Sequence, residues 1–181
     1  MEKPPATRAD LLSRLKSLGI DVNTVEHPPV FTVEESRSLR GKIPGAHTKN
    51  LFLKCKKGTL WLIVALENAQ INLKVLHKRL GSRPLSFGRA ELLQEVLGVP
   101  PGSVTPFSLI NDTHQRVSVV LDADMMRHEI LNFHPLVNTA TTSIARDGLL
   151  VFIRDCGHEP MILTFNEDDA ARQETYATTS S

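Results

Sequence analysis

The chain has 181 residues, 41% of them hydrophobic, and a formal net charge of +1, which fits one domain with a buried core. No stretch reaches the roughly 18 consecutive apolar residues of a membrane span, and Met1-Glu2-Lys3-Pro4-Pro5 lacks the apolar segment of a secretory signal. Two cysteines, Cys55 and Cys156, stand far apart with no Cys-x-x-Cys pair, a pattern that suits a cytoplasmic protein with two buried, unbridged thiols.

The apolar periodicity gives the elements in chain order. Thr7 to Leu18 reads as a helix, with Thr7 as cap, Asp10 at the third helical position and Leu11, Leu12, Leu15 and Leu18 as one stripe. Ile20 to Glu26 follows as a strand that Pro28-Pro29 stops. Thr32-Val33-Glu34-Glu35 is a capping box that opens a short helix to about Leu39. In Pro44-Gly45-Ala46-His47-Thr48-Lys49-Asn50, a glycine turn leads into a strand expected from Leu51 to Lys56. Lys49 and Asn50 then stand at the junction of loop and strand, above a packed element. A hairpin at Lys57-Gly58 leads into Thr59 to Leu66, whose continuous apolar run suits a central strand covered on both faces.

Asn72 caps a helix to Leu80, Pro84 to Phe87 is a short strand, and Ala90 to Leu97 is a helix ended by Gly98. Val99 to Pro106 is a stiff loop, with prolines flanking Gly102, where backbone can approach a ligand closely. Arg116 to Leu121 is a strand, Ala123 to Glu129 a helical turn or two, and Ile130 to Phe133 a strand. Thr141 to Ser143 introduces a helix to about Asp155, and Met161 to Phe165 is a last strand. Strands outnumber those of a regular βαβ alternation, so the expected class is α+β with a mixed, curved, open-barrel-like sheet flanked by helices. Residues 1–165 form the expected domain, and residues 166–181 an acidic, flexible tail.

Net charge alone argues against nonspecific nucleic-acid binding, but its distribution argues for a polyanionic partner. Twelve Lys and Arg against one acid, Glu67, lie between Arg37 and Arg89, and both flanking segments are net acidic. Lys54, Lys74, Lys78 and Arg79 are the cations expected on that partner. The alternative is that these charges scatter over several faces once the chain folds.

The sequence holds no His-x-x-x-His pair, cysteine cluster, G-x-S-x-G elbow, P-loop or dinucleotide fingerprint. No metal or organic cofactor is therefore expected. Lys54, Lys56 and Lys57 flank Cys55, but strand alternation turns Lys54 and Lys56 to the opposite face.

Three stretches together carry a resemblance: Gly45 through Lys54, Gly102-Ser103-Val104-Thr105-Pro106, and Phe133-His134-Pro135-Leu136-Val137-Asn138-Thr139-Ala140-Thr141. They resemble the freestanding editing domains related to the insertion domain of bacterial prolyl-tRNA synthetase. Within that group (YbaK, ProXp and relatives) the most similar type deacylates alanyl-tRNA charged on proline tRNA, the ProXp-ala or PrdX type.

The resemblance implies that Lys49, Gly102 and His134 are catalytic, and that Asn50, Ser103, Pro106 and Asn138 hold the substrate. A lysine stays charged at neutral pH unless burial strips its proton, so Lys49 reads as an anchor for a phosphate or carbonyl, not a base. Backbone N–H groups at Gly102 would reach the aminoacyl carbonyl. His134 either positions the amino acid or water, or is a packed wall residue. The terminal ribose 2′-hydroxyl would help activate the water. The implied partners are aminoacylated proline tRNA and, as a candidate, prolyl-tRNA synthetase, with no membrane and a monomer expected. Two rivals stand beside this reading: a cysteinyl-tRNA deacylase of the same fold, and a non-catalytic nucleic-acid-binding protein.

Overall fold

Leu60 to Leu66, the longest apolar run, lies at the middle of the sheet and is buried up to Ala65. The computed structural model describes residues 3–29, 35, 38 and 41–165. The expected helix at Thr32–Leu39 lies outside these apart from Glu35 and Ser38, and so does the expected tail.

Among the described residues there are eight strands: β1 (Val22–Glu26), β2 (Ala46–Cys55), β3 (Leu60–Leu66), β4 (Leu85–Phe87), β5 (Val117–Asp122), β6 (Ile130–Phe133), β7 (Ala140–Ala145) and β8 (Met161–Leu163). They form one mixed sheet in the order β1-β7-β6-β2-β3-β5-β8, with β4 paired to β2. The end strands β1 and β8 do not pair with each other, so the sheet stays open. Among the described residues four α-helices with full bounds flank it: α1 (Arg8–Ser17), α2 (Leu73–Arg79), α3 (Ala90–Leu97) and α4 (Arg146–Asp155). This is the expected α+β class.

The side chains of β3 alternate between two cores, which is why its sequence shows no polar face. Leu60, Leu62 and Val64 join the larger core with Leu11 and Leu15 of α1, Leu93, Val96 and Leu97 of α3, and Leu149, Phe152 and Ile153 of α4. Trp61, Ile63 and Ala65 face the smaller one with Leu53 and, from α2, Leu76. Phe107 sits edge-on to both Phe133 and Phe152, at ring-centroid distances of 5.8 and 5.6 Å. The helix ends obey their sequence signals. Thr7 and Asp10 form a reciprocal capping box, Asn72 caps α2, and Gly98 takes the left-handed conformation after α3.

Two expectations are corrected. The stretch expected to introduce a helix at Thr141 is strand β7, and α4 begins only at Arg146. In its run Ala-Thr-Thr-Ser-Ile-Ala, Thr141, Thr142 and Ile144 are β-branched, and pairing with both β1 and β6 settles it as strand. Strand β2 begins at Ala46 rather than Leu51. Its first residues are too polar to signal a strand, yet they pair with β6 and β3, so Lys49 and Asn50 lie within the strand.

Candidate functional site

The pairing of β2 leaves a gap in the sheet. One edge of β2 is taken by β3 from Thr48 to Lys54. On the other edge, β6 pairs only at Ala46 and His47, and β4 only from Leu53 to Cys55. Gly88 N also donates to Phe52 O at 2.9 Å. Between them, residues 48–51 have no strand partner on that edge. Beyond Phe133 the β6 chain departs into the 134–139 loop, which therefore forms the second lip of this window.

The first lip is held from below. Buried Asn132 donates from Nδ2 to Pro44 O (3.0 Å) and Ala46 O (3.3 Å), while Thr48 Oγ1 donates to Asn132 O (2.7 Å). Gly45 has φ +105°, and a Cβ there would lie 2.8–2.9 Å from Ile130 and Asn132. Only glycine lets the chain enter β2 this close to β6.

Lys49 and Asn50 occupy this lip but point to opposite faces, as strand alternation requires. Asn50 shares its face with Ala46 and Phe52 of the larger core. Its Oδ1 is buried and has no partner among the described residues. Lys49 shares its face with Leu51 and Leu53 of the smaller core, is half-buried, and donates from Nζ to Ala69 O. No hydrogen bond among the described residues joins Lys49 to Gly102, His134 or Asn138.

The second lip is strained and pinned. Leu136 has φ +69°, a conformation that costs a non-glycine residue about 1–3 kcal/mol. Its side chain is anchored in the larger core. His134 Nδ1 donates to Ala140 O at 3.0 Å. A carbonyl only accepts, so this nitrogen carries the proton and Nε2 keeps a lone pair. Burial pushes the His134 imidazole below its ordinary pKa, against a smaller raising effect of the Ala140 bond, which keeps the ring neutral.

The sequence reading missed His27, whose only signal was its place between a strand and Pro28-Pro29. His27 N donates to Thr139 O at 2.9 Å, and its Nε2 meets Thr141 Oγ1 at 2.8 Å. Its ring lies 6.3 Å from that of His134. The end of β1 thus fastens the loop that carries His134 and Asn138.

The Gly102 loop comes against this second lip. Gly102 is exposed at φ +92°, and a Cβ there would lie 4.0 Å from Asn138 Nδ2 with nothing nearer. Ser103, Thr105 and Pro106 are buried. Ser103 N donates to Pro100 O at 3.1 Å, and Thr105 caps a 3-10 turn over Pro106–Asn111. The structure therefore brings Gly102 against Asn138, on the loop that also carries His134, with Ser103 and Pro106 buried beneath the turn.

The four cations expected on tRNA fall on two separate surfaces. Lys74 and Lys78 are exposed on α2 and Arg79 is half-buried there, whereas Lys54 is on β2 opposite Ser86 of β4. Among the described residues no group of three or more His, Cys, Asp or Glu is placed to hold a metal ion. No helix among them is long and apolar enough to cross a membrane.

The architecture is that of the YbaK-type editing domains. A solved structure of a candidate trans-editing enzyme for prolyl tRNA synthetase superposes with a TM-score of 0.67 at 21% identity, over 92% of this chain and 99% of the other. The model of the aminoacyl-tRNA editing domain matches residues 27–152, and the chain belongs to that family. Prolyl-tRNA synthetase associated domain-containing protein 1 of Mus musculus is 43% identical, across 88% of this chain and 96% of its own length. Prolyl-tRNA editing protein ProX of Acetoanaerobium sticklandii is 33% identical, across 82% and 91%.

Proposed function

We propose that this protein is a trans-acting aminoacyl-tRNA deacylase that removes alanine mischarged onto proline tRNA. The observation that carries the reading is the window in the β2 edge at residues 48–51, faced by the loop of His134 and Asn138 and by the Gly102 turn. Family membership supports the reaction class. The names of ProX and of the candidate trans-editing enzyme support proline tRNA as the carrier.

In this reading the 3′ end of the tRNA enters the window with its aminoacyl ester beside Gly102. Water attacks the carbonyl carbon, the bond to the ribose oxygen breaks, and that oxygen leaves with a proton. The backbone N–H groups of the Gly102 turn stabilise the developing oxyanion, each by about 3 kcal/mol where geometry is good. Neutral His134 offers Nε2 as an acceptor, which orients the water or the substrate ammonium. Asn50 offers its unpaired Oδ1 from the other lip. Lys49 spends one of its three donors on Ala69 O, which fixes the direction of the ammonium and leaves two donors for a phosphate. The ribose 2′-hydroxyl assists the water. Specificity is by size, with alanine admitted and proline refused.

The test is a deacylation panel of alanyl-, cysteinyl-, seryl- and prolyl-tRNA, all on proline tRNA. Alanyl-tRNA should be hydrolysed well above background and prolyl-tRNA spared. Preferential hydrolysis of the cysteinyl substrate would reassign the protein to the cysteine-editing type. Binding without hydrolysis of any substrate would make it a non-catalytic binder.

A further inference from the structure

Three strand ends bring cations to one end of the sheet, away from the window. Strand β2 runs out through Lys54, Cys55, Lys56 and Lys57. There the hairpin turn closes with Gly58 N donating to Cys55 O and Cys55 N to Thr59 O, both at 3.0 Å. On one side β4 pairs with this end at Cys55↔Leu85, and Arg83 stands two residues before it. On the other, β5 pairs with β3 at Leu60↔Val117, and Arg116 immediately precedes it.

Two grooves flank the turn and meet at Cys55. One, of about 260 Å³, is lined by Lys57, Arg83, Ser82 and Trp61 among others. The other, of about 490 Å³, is lined by Lys54, Lys56, Ser86 and Arg116 among others. No carboxylate lines either groove. The acid that meets one of these cations is Glu95, 3.1 Å from Arg116, with both side chains substantially exposed. Lys56, Lys57 and Arg83 are exposed and form no ion pair among the described residues.

Like charges gathered without counter-charges repel one another, and a polyanion relieves that repulsion. Neither groove is enclosed around a buried charged side chain, as a small-anion site would be. Two grooves astride one turn suit a ligand that carries charge continuously past it. From this we infer that the β2–β3 hairpin end, with Lys54, Lys56, Lys57, Arg83 and Arg116, docks the phosphodiester backbone of RNA. This surface adjoins the end of α2 through Ser82 and Arg83 but does not include Lys74 or Lys78. The inference rests on the proposed function only for the identity of the RNA, which would then be the acceptor arm of the substrate tRNA.

The test measures binding of a fluorescently labelled, uncharged RNA hairpin of the proline acceptor stem by anisotropy across a salt series. The variants are Lys56→Ala/Lys57→Ala/Arg83→Ala and, for comparison, Lys74→Ala/Lys78→Ala. If three phosphate contacts are lost, the slope of log affinity against log salt should become shallower by about two to three, at 0.7–0.9 per contact. The slope of the α2 pair shows how much of the salt dependence belongs to that other group of cations. Lys56→Gln/Lys57→Gln, with melting as a folding control, should give about two-thirds of that effect.

Wild-type slope and affinity in the folded triple variant would overturn the inference, as would loss of binding only in the α2 pair. Because the RNA is uncharged, the outcome is separable from catalysis. Hairpin-dependent binding by a protein that hydrolyses no aminoacyl ester would retain this inference and sink the deacylase reading. Hydrolysis and binding unaffected by the triple change would do the reverse.

Discussion

Gly102 and Asn138 face each other with room for one methyl group, since a Cβ on Gly102 would stand 4.0 Å from Asn138 Nδ2. Space is therefore not what excludes a side chain at Gly102. The backbone is, because φ +92° is a conformation that L-residues rarely adopt.

Gly102→Ala should consequently act through the turn's geometry. Strain of about 1–3 kcal/mol should appear as a few degrees of melting temperature in a chain of this size. If the turn relaxes and its N–H groups swing away, deacylation should fall by about a hundredfold, as for loss of an oxyanion donor. Single-turnover rates beside melting curves separate the two effects. A destabilised variant with the wild-type rate would remove Gly102 from the catalytic set.

His134 sets a pH dependence whose sign is fixed by its environment. Its folded pKa lies below the ordinary histidine value near 6.5. The folded protein therefore binds fewer protons than the unfolded chain between the two values. Stability should be unaffected above about pH 6.5 and fall as the pH drops through that value towards the folded pKa. Melting temperature between pH 7.5 and 5.5 should show this limb in wild type and a weaker one in His134→Gln. Identical profiles would mean that His134 carries no such burial penalty.

The two thiols should differ in reactivity although both are buried. Burial pushes Cys156 up to about 11, so roughly one molecule in a thousand carries its thiolate at pH 8. Burial also opposes ionisation of Cys55. Hydrogen bonds from Thr59 and from the N–H groups of Lys57, Gly58 and Thr59 outweigh it and hold that thiol below its ordinary value. Timed alkylation of the native protein at pH 8, read by peptide mass, should modify Cys55 first. Faster labelling of Cys156 would contradict these environments.

A buried pair ties the 3-10 segment to the end of α4. His158 Nε2 lies 2.8 Å from Asp112 Oδ2, and Asp112 also accepts from Arg116 N and Val117 N. Burial works to raise the Asp112 carboxyl, but the His158 bond and the two backbone bonds overcome it, so its pKa lies below the ordinary carboxylate value. Its stabilising contribution should be complete above about pH 4 and vanish as the pH falls through the lowered pKa. Asp112→Asn should cost about 1.5–3 kcal/mol, as for loss of hydrogen bonds to a charged group. Urea unfolding at pH 7 measures this, and a cost under about 0.5 kcal/mol would show the pair to be dispensable.

Where the chain's own periodicity decides an element, the fold was legible. The stripe of Leu11 and Leu15, the run through β3 and the caps Thr7 and Asn72 all stand as read. Elements held by partners distant in sequence were not. His47, Thr48, Lys49 and Asn50 look like loop, and they are strand because β3 and β6 take their backbone groups. Thr141 and Thr142 look like a helix entrance, and they are strand because β1 and β6 pair with β7, with Thr24 and His27 adding side-chain partners. The same applies to the site. Gly102, His134 and Asn138 were legible as motifs, whereas the opposite facing of Lys49 and Asn50, and the role of His27 in fastening the loop, needed the sheet register.

The central claim is that the window between β2 and the His134 loop is where an aminoacyl ester is hydrolysed, and Lys49 is its most exacting probe. Lys49→Ala removes the half-buried ammonium that meets Ala69 O. Loss of a charge-assisted contact worth about 1.5–3 kcal/mol should slow the reaction by roughly ten- to more than a hundredfold. Lys49→Arg should rescue poorly, because a broad guanidinium does not replace a compact ammonium. The measurement is single-turnover hydrolysis of alanyl-tRNA on proline tRNA by wild type and both variants, with circular dichroism and melting as folding controls. The account predicts a folded Lys49→Ala protein that has lost most of its activity. A folded Lys49→Ala protein that hydrolyses alanyl-tRNA at the wild-type rate would contradict it.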